Sequence, residues 1–497
     1  MELAKDASFE EISGWLDGVR KRWGQPGVGL GLVCEGEVAF TTGQGVREAG
    51  QAAPVDEATL FALASLSKSF VSAGVGRLVH EGLLDWDDRV QAHLPWFRLS
   101  DPWVSEHVTV RDLMCNRLGL LPSEGRHRRV ARDRYDLLRR MRYQPFRHDF
   151  RAQYGYCTDG FTIAGELVEA VTGQSWEAYT RHAFWDPLGM SDTNADHLAS
   201  RAAPNSCRPH RMISGSAQPI VWDYEGHVAT PAGGVNSSIR DISKWLAGNA
   251  AGGTWQGMPV FPADVFAEIT QAHTPERGAF AENELSCVVG RGPDGIEDQA
   301  YGLGWYVHRY RSRKVICHSG RIDGFCGFVM ICPNERFGVI VLANADNVCF
   351  PRAVAQALVD WGLGLTPTDW DGRFHAHQKK LNADRQQADE ARFGAAGVCP
   401  SVEAFAACCG DYADRTGFGE AALSLKAGAL QLSIGAETFE LTPRDAETLV
   451  ATPARQDARP QFLVHLERDG HGGVCRFTTD QGAVFERAPD KQGDQVA

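Results

Sequence analysis

No window of this chain approaches the roughly 18 consecutive apolar residues of a membrane-spanning helix, so no membrane partner is expected. Positive charge is short as well. Fifty Lys and Arg stand against 63 Asp and Glu, a net charge of −13. Such a surface argues against gripping phosphate backbones, and so against a nucleic-acid partner. The start, Met1-Glu2-Leu3-Ala4-Lys5-Asp6, lacks the basic and apolar stretches of a secretory signal. A cytoplasmic location is expected, or a periplasmic one if a leader was removed. The 13 cysteines are too sparse over 497 residues for a disulfide scaffold, and Cys317, Cys326 and Cys332 fit no zinc knuckle. Reduced, mostly buried thiols are expected. His375-Ala376-His377 has no acidic or Cys partner at useful spacing, so no metal is expected. There is no short repeat and no low-complexity run.

What is present is the mix of an ordinary globular protein, 43% apolar and 23% charged, long enough for two to three domains of roughly 150 residues. Phe9, Ile12, Trp15, Leu16 and Val19 recur at helical spacing. Residues 28–33 and 37–40 read as strands of a hairpin around Glu35-Gly36. Helical patterns follow over 65–82 and 161–171, the second ending at Gly173, a residue suited to a left-handed cap. Strands return at 303–307, 325–331 and 338–343, with a helix over 352–363. Strands at both ends around a helical middle predict one antiparallel sheet in an α+β layout. Residues 366–400 turn polar and read as a linker or surface helix. Over 401–497, short alternating runs such as Leu430-Gln431-Leu432 and Phe439-Glu440-Leu441 predict a small all-β barrel or sandwich.

The sharpest chemical signal is Ser65-Leu66-Ser67-Lys68, at the start of a predicted helix. Residues three apart share a helix face, so the two side chains can meet. A serine hydroxyl is a weak nucleophile until a neighbouring base takes its proton, and lysine can be that base when its surroundings favour the neutral amine. The pattern alone is common by chance; its context is not. Leu60-Phe61-Ala62-Leu63-Ala64 precedes it, and Leu78-Val79-His80-Glu81-Gly82-Leu83-Leu84-Asp85 follows. Then come Thr109-Val110-Arg111-Asp112-Leu113-Met114 with Gly119-Leu120, Tyr156-Cys157-Thr158, Pro187-Leu188-Gly189-Met190, Ala232-Gly233-Gly234-Val235, and His318-Ser319-Gly320.

In that order and spacing the motifs resemble the serine β-lactamase and penicillin-binding-protein superfamily, in its esterase and D-aminopeptidase-like branch, over about residues 10–363. The resemblance implies a β-lactamase/transpeptidase-like domain over 1–365, an antiparallel sheet with a helical subdomain. It implies Ser65 as nucleophile, Lys68 as its base and Tyr156 as proton relay, with Tyr154 the alternative alignment. His318 would hold a substrate carboxylate or tune Tyr156. The backbone N–H groups of Ser65 and Arg321 would form the oxyanion hole, with Thr158 and Gly320 lining the substrate. Two departures stand out. Thr158 replaces the motif asparagine, removing an amide that both donates and accepts. A histidine in the third motif argues against a dedicated β-lactamase.

Residues 126–151 carry ten arginines against three acids, a local charge of +7. They read as a solvated helix face, or as a basic rim in which Arg126 and Arg129 bind carboxylate-bearing substrates. The tail, with Cys409-Gly410-Asp411-Tyr412 and Ala483-Val484-Phe485-Glu486-Arg487, resembles the lipocalin-like module attached to some members of the branch. The expected activity is a serine hydrolase without metal or organic cofactor, acting as peptidase or amidase on small peptides with D- or unusual residues. Within the branch, the insert points toward the linearised-microcystin peptidases. A carboxylesterase is the alternative, and a non-hydrolytic penicillin-binding-like or sensory protein the second. Expected partners are a small peptide or ester and, if the chain assembles, its own copies.

Overall fold

The chain enters its first helix, α1 (Phe9–Arg22), through a capping box. The Ser8 hydroxyl accepts from the Glu11 N–H, and the Glu11 carboxylate accepts from the Ser8 N–H at 2.8 Å. Ile12, Trp15, Leu16 and Val19 are its buried face, whereas Phe9, the first residue of the predicting pattern, is exposed and stacks on Phe40. The computed structural model describes residues 2–120, 131–213, 215–222, 230–276, 284–394, 400–414, 419–435, 437–454, 460–469 and 473–488.

These residues divide into two compact units, 1–123 with 144–380, and 124–143 with 381–497. The first is built on an antiparallel sheet of eight strands. In chain order these are β1 (Gly27–Cys34), β2 (Glu37–Gly45), β3 (Thr274–Pro275), β4 (Ile296–Tyr301), β5 (Tyr306–Tyr310), β6 (Arg313–Ile322), β7 (Phe325–Cys332) and β8 (Phe337–Ala343). Their spatial order is β2-β1-β8-β7-β6-β5-β4-β3. Glu35 and Gly36 both take positive φ, the geometry of a two-residue turn that matches strand twist. Val28 pairs with Ala343 and Val33 with Gly338, so the sheet joins the two ends of the unit as the strand pattern predicts.

The helices that matter for the site are α2 (Lys68–His80), α4 (Thr158–Thr172), α5 (Ile239–Ala250) and α6 (Cys349–Gly362); α3 (Arg134–Arg140) belongs to the second unit. Helix α4 ends at Gly173 in the left-handed conformation, φ 70°. The strand expected at 303–307 is shifted: Tyr306 and Val307 open β5, but the first three residues do not belong to it. Leu303 and Trp305 lie in the turn between β4 and β5, where Gly304 has φ 87° and a Cβ would sit 2.2 Å from Ser72 Oγ of α2. The run is apolar because Leu303 and Trp305 are buried in the core, not because it forms strand.

Within 366–400 the chain forms a 24-residue helix, α7 (Trp370–Phe393). Its first half docks by the Trp370 indole N–H to Asp360, and by Trp23 and Arg22 to Asp371. In the second unit Arg392 pairs with Asp480 at 2.7 Å. There, eight strands close a barrel: β9 (Gly410–Asp414), β10 (Glu420–Lys426), β11 (Ala429–Ile434), β12 (Glu437–Pro443), β13 (Thr448–Pro453), β14 (Phe462–Arg468), β15 (Val474–Thr479) and β16 (Val484–Arg487). Alternate residues point inward, Leu430, Leu432 and Ile434 on β11 for example, as the period-two pattern requires. Among the described residues no helix is long and apolar enough to cross a membrane.

Candidate active site

Ser65 sits in a one-turn 3-10 helix, Ala64–Ser67, immediately before α2, rather than inside the α-helix that its spacing predicts. Ala64 holds φ 49°, an uncommon conformation for a residue with a Cβ, which costs of order 1–3 kcal/mol. The turn is clamped from a distant segment: Leu63 N–H donates to Val235 O at 2.9 Å, and Val235 N–H to Ser67 Oγ at 3.1 Å. The short antiparallel pairing of Leu60–Ala62 with Asn236–Ser238 continues that clamp.

Two groups converge on the serine. Lys68 Nζ lies 2.8 Å from Ser65 Oγ, and the Tyr156 hydroxyl lies 2.9 Å from it. Lys68 is fully buried, its Nζ also donates to Ala232 O at 2.8 Å, and it lies over the rings of Tyr156 and Phe161. Tyr154, the other candidate, points elsewhere: its hydroxyl meets that of Tyr306 at 2.8 Å. Asn116, in the left-handed region at φ 56°, holds the Tyr156 loop from both sides. Its carbonyl accepts from Gly155 N–H and its side-chain oxygen from Cys157 N–H. Thr158 is the first residue of α4 and half-buried. In this site Lys68 Nζ finds an acceptor besides Ser65 in the Ala232 carbonyl.

His318 on β6 is buried, with Nδ1 at 2.7 Å from Ser319 O and Nε2 at 3.0 Å from the Tyr301 hydroxyl. Burial first, then the charge of Lys68, pushes its pKa down to about 3. The ring is therefore neutral at pH 7, its Nδ1–H donating to the carbonyl and its Nε2 accepting from Tyr301. Tyr156 packs beside it, with ring centroids 6.2 Å apart. Gly320 lets β6 run against the nucleophile turn, because a Cβ there would sit 2.2 Å from Leu63 O. Pairing of β6 with β5 stops at Cys317, so from His318 to Ile322 the described strand pairs only with β7. Arg321 lies in that half-open stretch. Arg126 and Arg129 lie outside the described residues.

Behind this cluster Glu276 is buried, its Oε2 without a hydrogen-bond partner. It lines a cavity of about 100 Å³ with Tyr306, His308, Cys317 and Ser319. Burial pushes the Glu276 carboxyl up to about 8 and the His308 imidazole down to about 4, so both are neutral at pH 7. Asp112 is buried too, but paired with Arg117 and with Arg151 from the end of the arginine-rich stretch. Sequence reading missed Ala232, Asn116, Tyr301 and Glu276. Only Ala232 stood in a segment already singled out, and nothing local marks a carbonyl that binds a lysine 164 positions away.

A helix-flanked antiparallel sheet, with a serine and lysine one turn apart at the head of a buried helix, is the layout of the β-lactamase/transpeptidase-like class. Residues 15–360 match the family model described as Beta-lactamase, and the chain belongs to that family. Protein flp of Staphylococcus aureus (strain N315) is 23% identical over 333 residues, 66% of this chain and 61% of that protein. Unguisins hydrolase ungD of Aspergillus violaceofuscus (strain CBS 115571) is 24% identical over 389 residues, 70% of this chain and 64% of that protein. The chain thus spans under two thirds of the length of these curated relatives. Among solved structures, the octameric penicillin-binding protein homologue from Pyrococcus abyssi superposes with a TM-score of 0.60 at 17% identity. That match covers 97% of this chain and all of the other. The D-amino acid amidase from Ochrobactrum anthropi SV3, complexed with L-phenylalanine amide, gives a TM-score of 0.55 at 22% identity, over 71% of this chain and 96% of that one.

Proposed function

We propose that the chain is a serine hydrolase that cleaves amide bonds in small or unusual peptides through an acyl-enzyme on Ser65. The observation that carries this reading is the convergence of Lys68 Nζ and the Tyr156 hydroxyl on one serine oxygen. In the reactive state the neutral amine of Lys68 takes the Ser65 proton as Oγ attacks the carbonyl carbon. The C–N bond breaks as Tyr156 gives its proton to the leaving amine and recovers one from Lys68, and water then cleaves the ester to free Ser65. The N–H groups of Ser65 and Arg321 receive the developing oxyanion, each donor worth about 3 kcal/mol. The half-open edge of β6 suits an extended peptide laid beside it, with Gly320 and Thr158 along its path. Because His318 is neutral and both its nitrogens are engaged, it acts by positioning Tyr156 rather than by binding a substrate carboxylate.

The amide preference draws on the similar proteins, an unguisins hydrolase and a D-amino acid amidase. Peptides with D- or non-ribosomal residues, linearised microcystins included, are the substrates to try first. The Pyrococcus homologue is octameric, and self-assembly of this chain is the corresponding expectation for gel filtration. The deciding experiment is intact mass after incubation with a fluorophosphonate, wild type against Ser65→Ala, followed by steady-state hydrolysis of D-phenylalanine amide and of p-nitrophenyl butyrate. One adduct on wild type alone, with amide turnover, is the expected result. Rapid ester turnover with no amide cleavage would turn the reading to a carboxylesterase. An adduct without any turnover would make the chain an acylating, non-hydrolytic protein.

A further inference from the structure

A second cationic place lies in the unit that contains α3 and the barrel. There α3 and β9 wall a cleft of about 490 Å³, within the range of small-molecule and peptide sites. The acids of α3 are already engaged. Asp133 caps the helix by accepting from the Asp136 N–H, and Asp136 pairs with Arg140 at 2.9 Å and Arg132 at 3.6 Å. Arg139 and Arg142 make no ion pair among the described residues. Arg139 lies over the Tyr135 ring at 5.2 Å, and Arg142 spends its Nε on Arg139 O, which orients its two terminal nitrogens as a fork. Tyr135 and Tyr143 are 43% and 46% exposed on the same lining. Guanidinium forks beside exposed tyrosines are the groups that bind carboxylates and flat apolar rings together.

We propose that this cleft binds acidic peptides carrying an aromatic side chain, with carboxylates on Arg139 and Arg142 and the ring against Tyr135 and Tyr143. Four arginines and three aspartates line it, a net of +1. Two guanidinium groups can each take one carboxylate of a peptide, whereas a phosphate gathers nearly −2 on a single centre. On a chain of net −13, this basic lining is also where an acidic peptide meets opposite charge. The site goes beyond the hydrolase reading and stands or falls apart from it.

The test is calorimetric titration of the full-length Ser65→Ala protein with acetyl-Phe-Glu, with acetyl-Phe-Gln-amide, and with AMP. We expect acetyl-Phe-Glu to bind, and about a tenfold loss or more when its carboxylates are replaced by amides or when Arg139→Gln/Arg142→Gln is introduced. Arg139→Lys/Arg142→Lys keeps the charge without the fork and should recover only part of the loss. The amide arm uses an unaltered cleft, so it does not depend on how the variants fold. Equal binding of the two peptides, undiminished binding by the Gln variant, preference for AMP, or no binding at millimolar peptide would each overturn the proposal. Fluorophosphonate labelling of wild type reports on Ser65 separately, so failure of either reading leaves the other standing.

Discussion

At the centre of the barrel, Leu423, Leu432, Phe439, Leu441, Leu449 and Phe477 face one another, and among the described residues no buried charged side chain lies on a barrel strand. At the same depth in the helix–sheet unit lie Lys68, His318, Tyr301 and Glu276. The barrel interior is held by area removed from water, which is tolerant of detail and favours stability. The polar interior around Ser65 holds groups that cost free energy to bury unless each finds a partner. The proposed acyl-enzyme chemistry is one use for such an interior, and Ala64 beside Ser65 adds backbone strain at the same place.

The contrast is broken most directly by substituting Lys68→Met. Turnover should fall at least about a thousandfold. The melting temperature should change little, since the cost of burying the amine is removed while the Ala232 carbonyl loses its donor. A marked drop in thermal stability would mean that the lysine holds the fold. The reverse experiment is Leu432→Ala, expected to cost about 2–5 kcal/mol in chemical denaturation. Below its transition, Ser65 should still be labelled; loss of labelling would join the two interiors functionally. Gly320→Ala sharpens the geometry of the site, because its methyl group would drive β6 off the Leu63 carbonyl. Displacement of that order should lower kcat/KM about a hundredfold and also lower the melting temperature, overpacking costing about 1–3 kcal/mol; unchanged kinetics would remove β6 from the substrate path.

The contrast also predicts a pH dependence of stability. The Glu276 carboxyl is raised from about 4.5 to about 8 by burial, so the folded state holds a proton that the unfolded chain releases across that window. Wild type therefore loses stability as pH rises through it, by at most about 1.4 kcal/mol per pH unit. Glu276→Gln should lack that slope, and its advantage in melting should grow from pH 5 to pH 8. Parallel melting curves would place the Glu276 carboxyl in contact with water. On the acid side His318, lowered to about 3, works in the opposite sense: its contribution is present above about 6.5 and fades as pH falls below it.

Much of the architecture was legible in the residues. The periodicity of α1, the Glu35-Gly36 hairpin, the end of α4 at Gly173 and the inward leucines of β11 all depend on neighbours a few positions apart. The turn at Leu303–Trp305 misled because burial makes a run apolar whatever its backbone does. At the site, Ser65 and Lys68 could be paired by spacing alone, whereas Tyr156 and His318 needed the family resemblance. The family pattern favoured Tyr156 with Tyr154 as the alternative, and the hydrogen bonds put Tyr156 beside the serine and Tyr154 beside Tyr306.

The order of motifs, the short-range spacing of Ser65 and Lys68 and the two hydrophobic periods belong to the sequence by itself, because they are set by bonded geometry over one or two turns. The Ala232 carbonyl on Lys68, the neutral tautomer of His318 and the buried acid of Glu276 were decided by the tertiary structure. Each depends on which distant groups meet and how much water they exclude, and both follow only when the chain closes on itself.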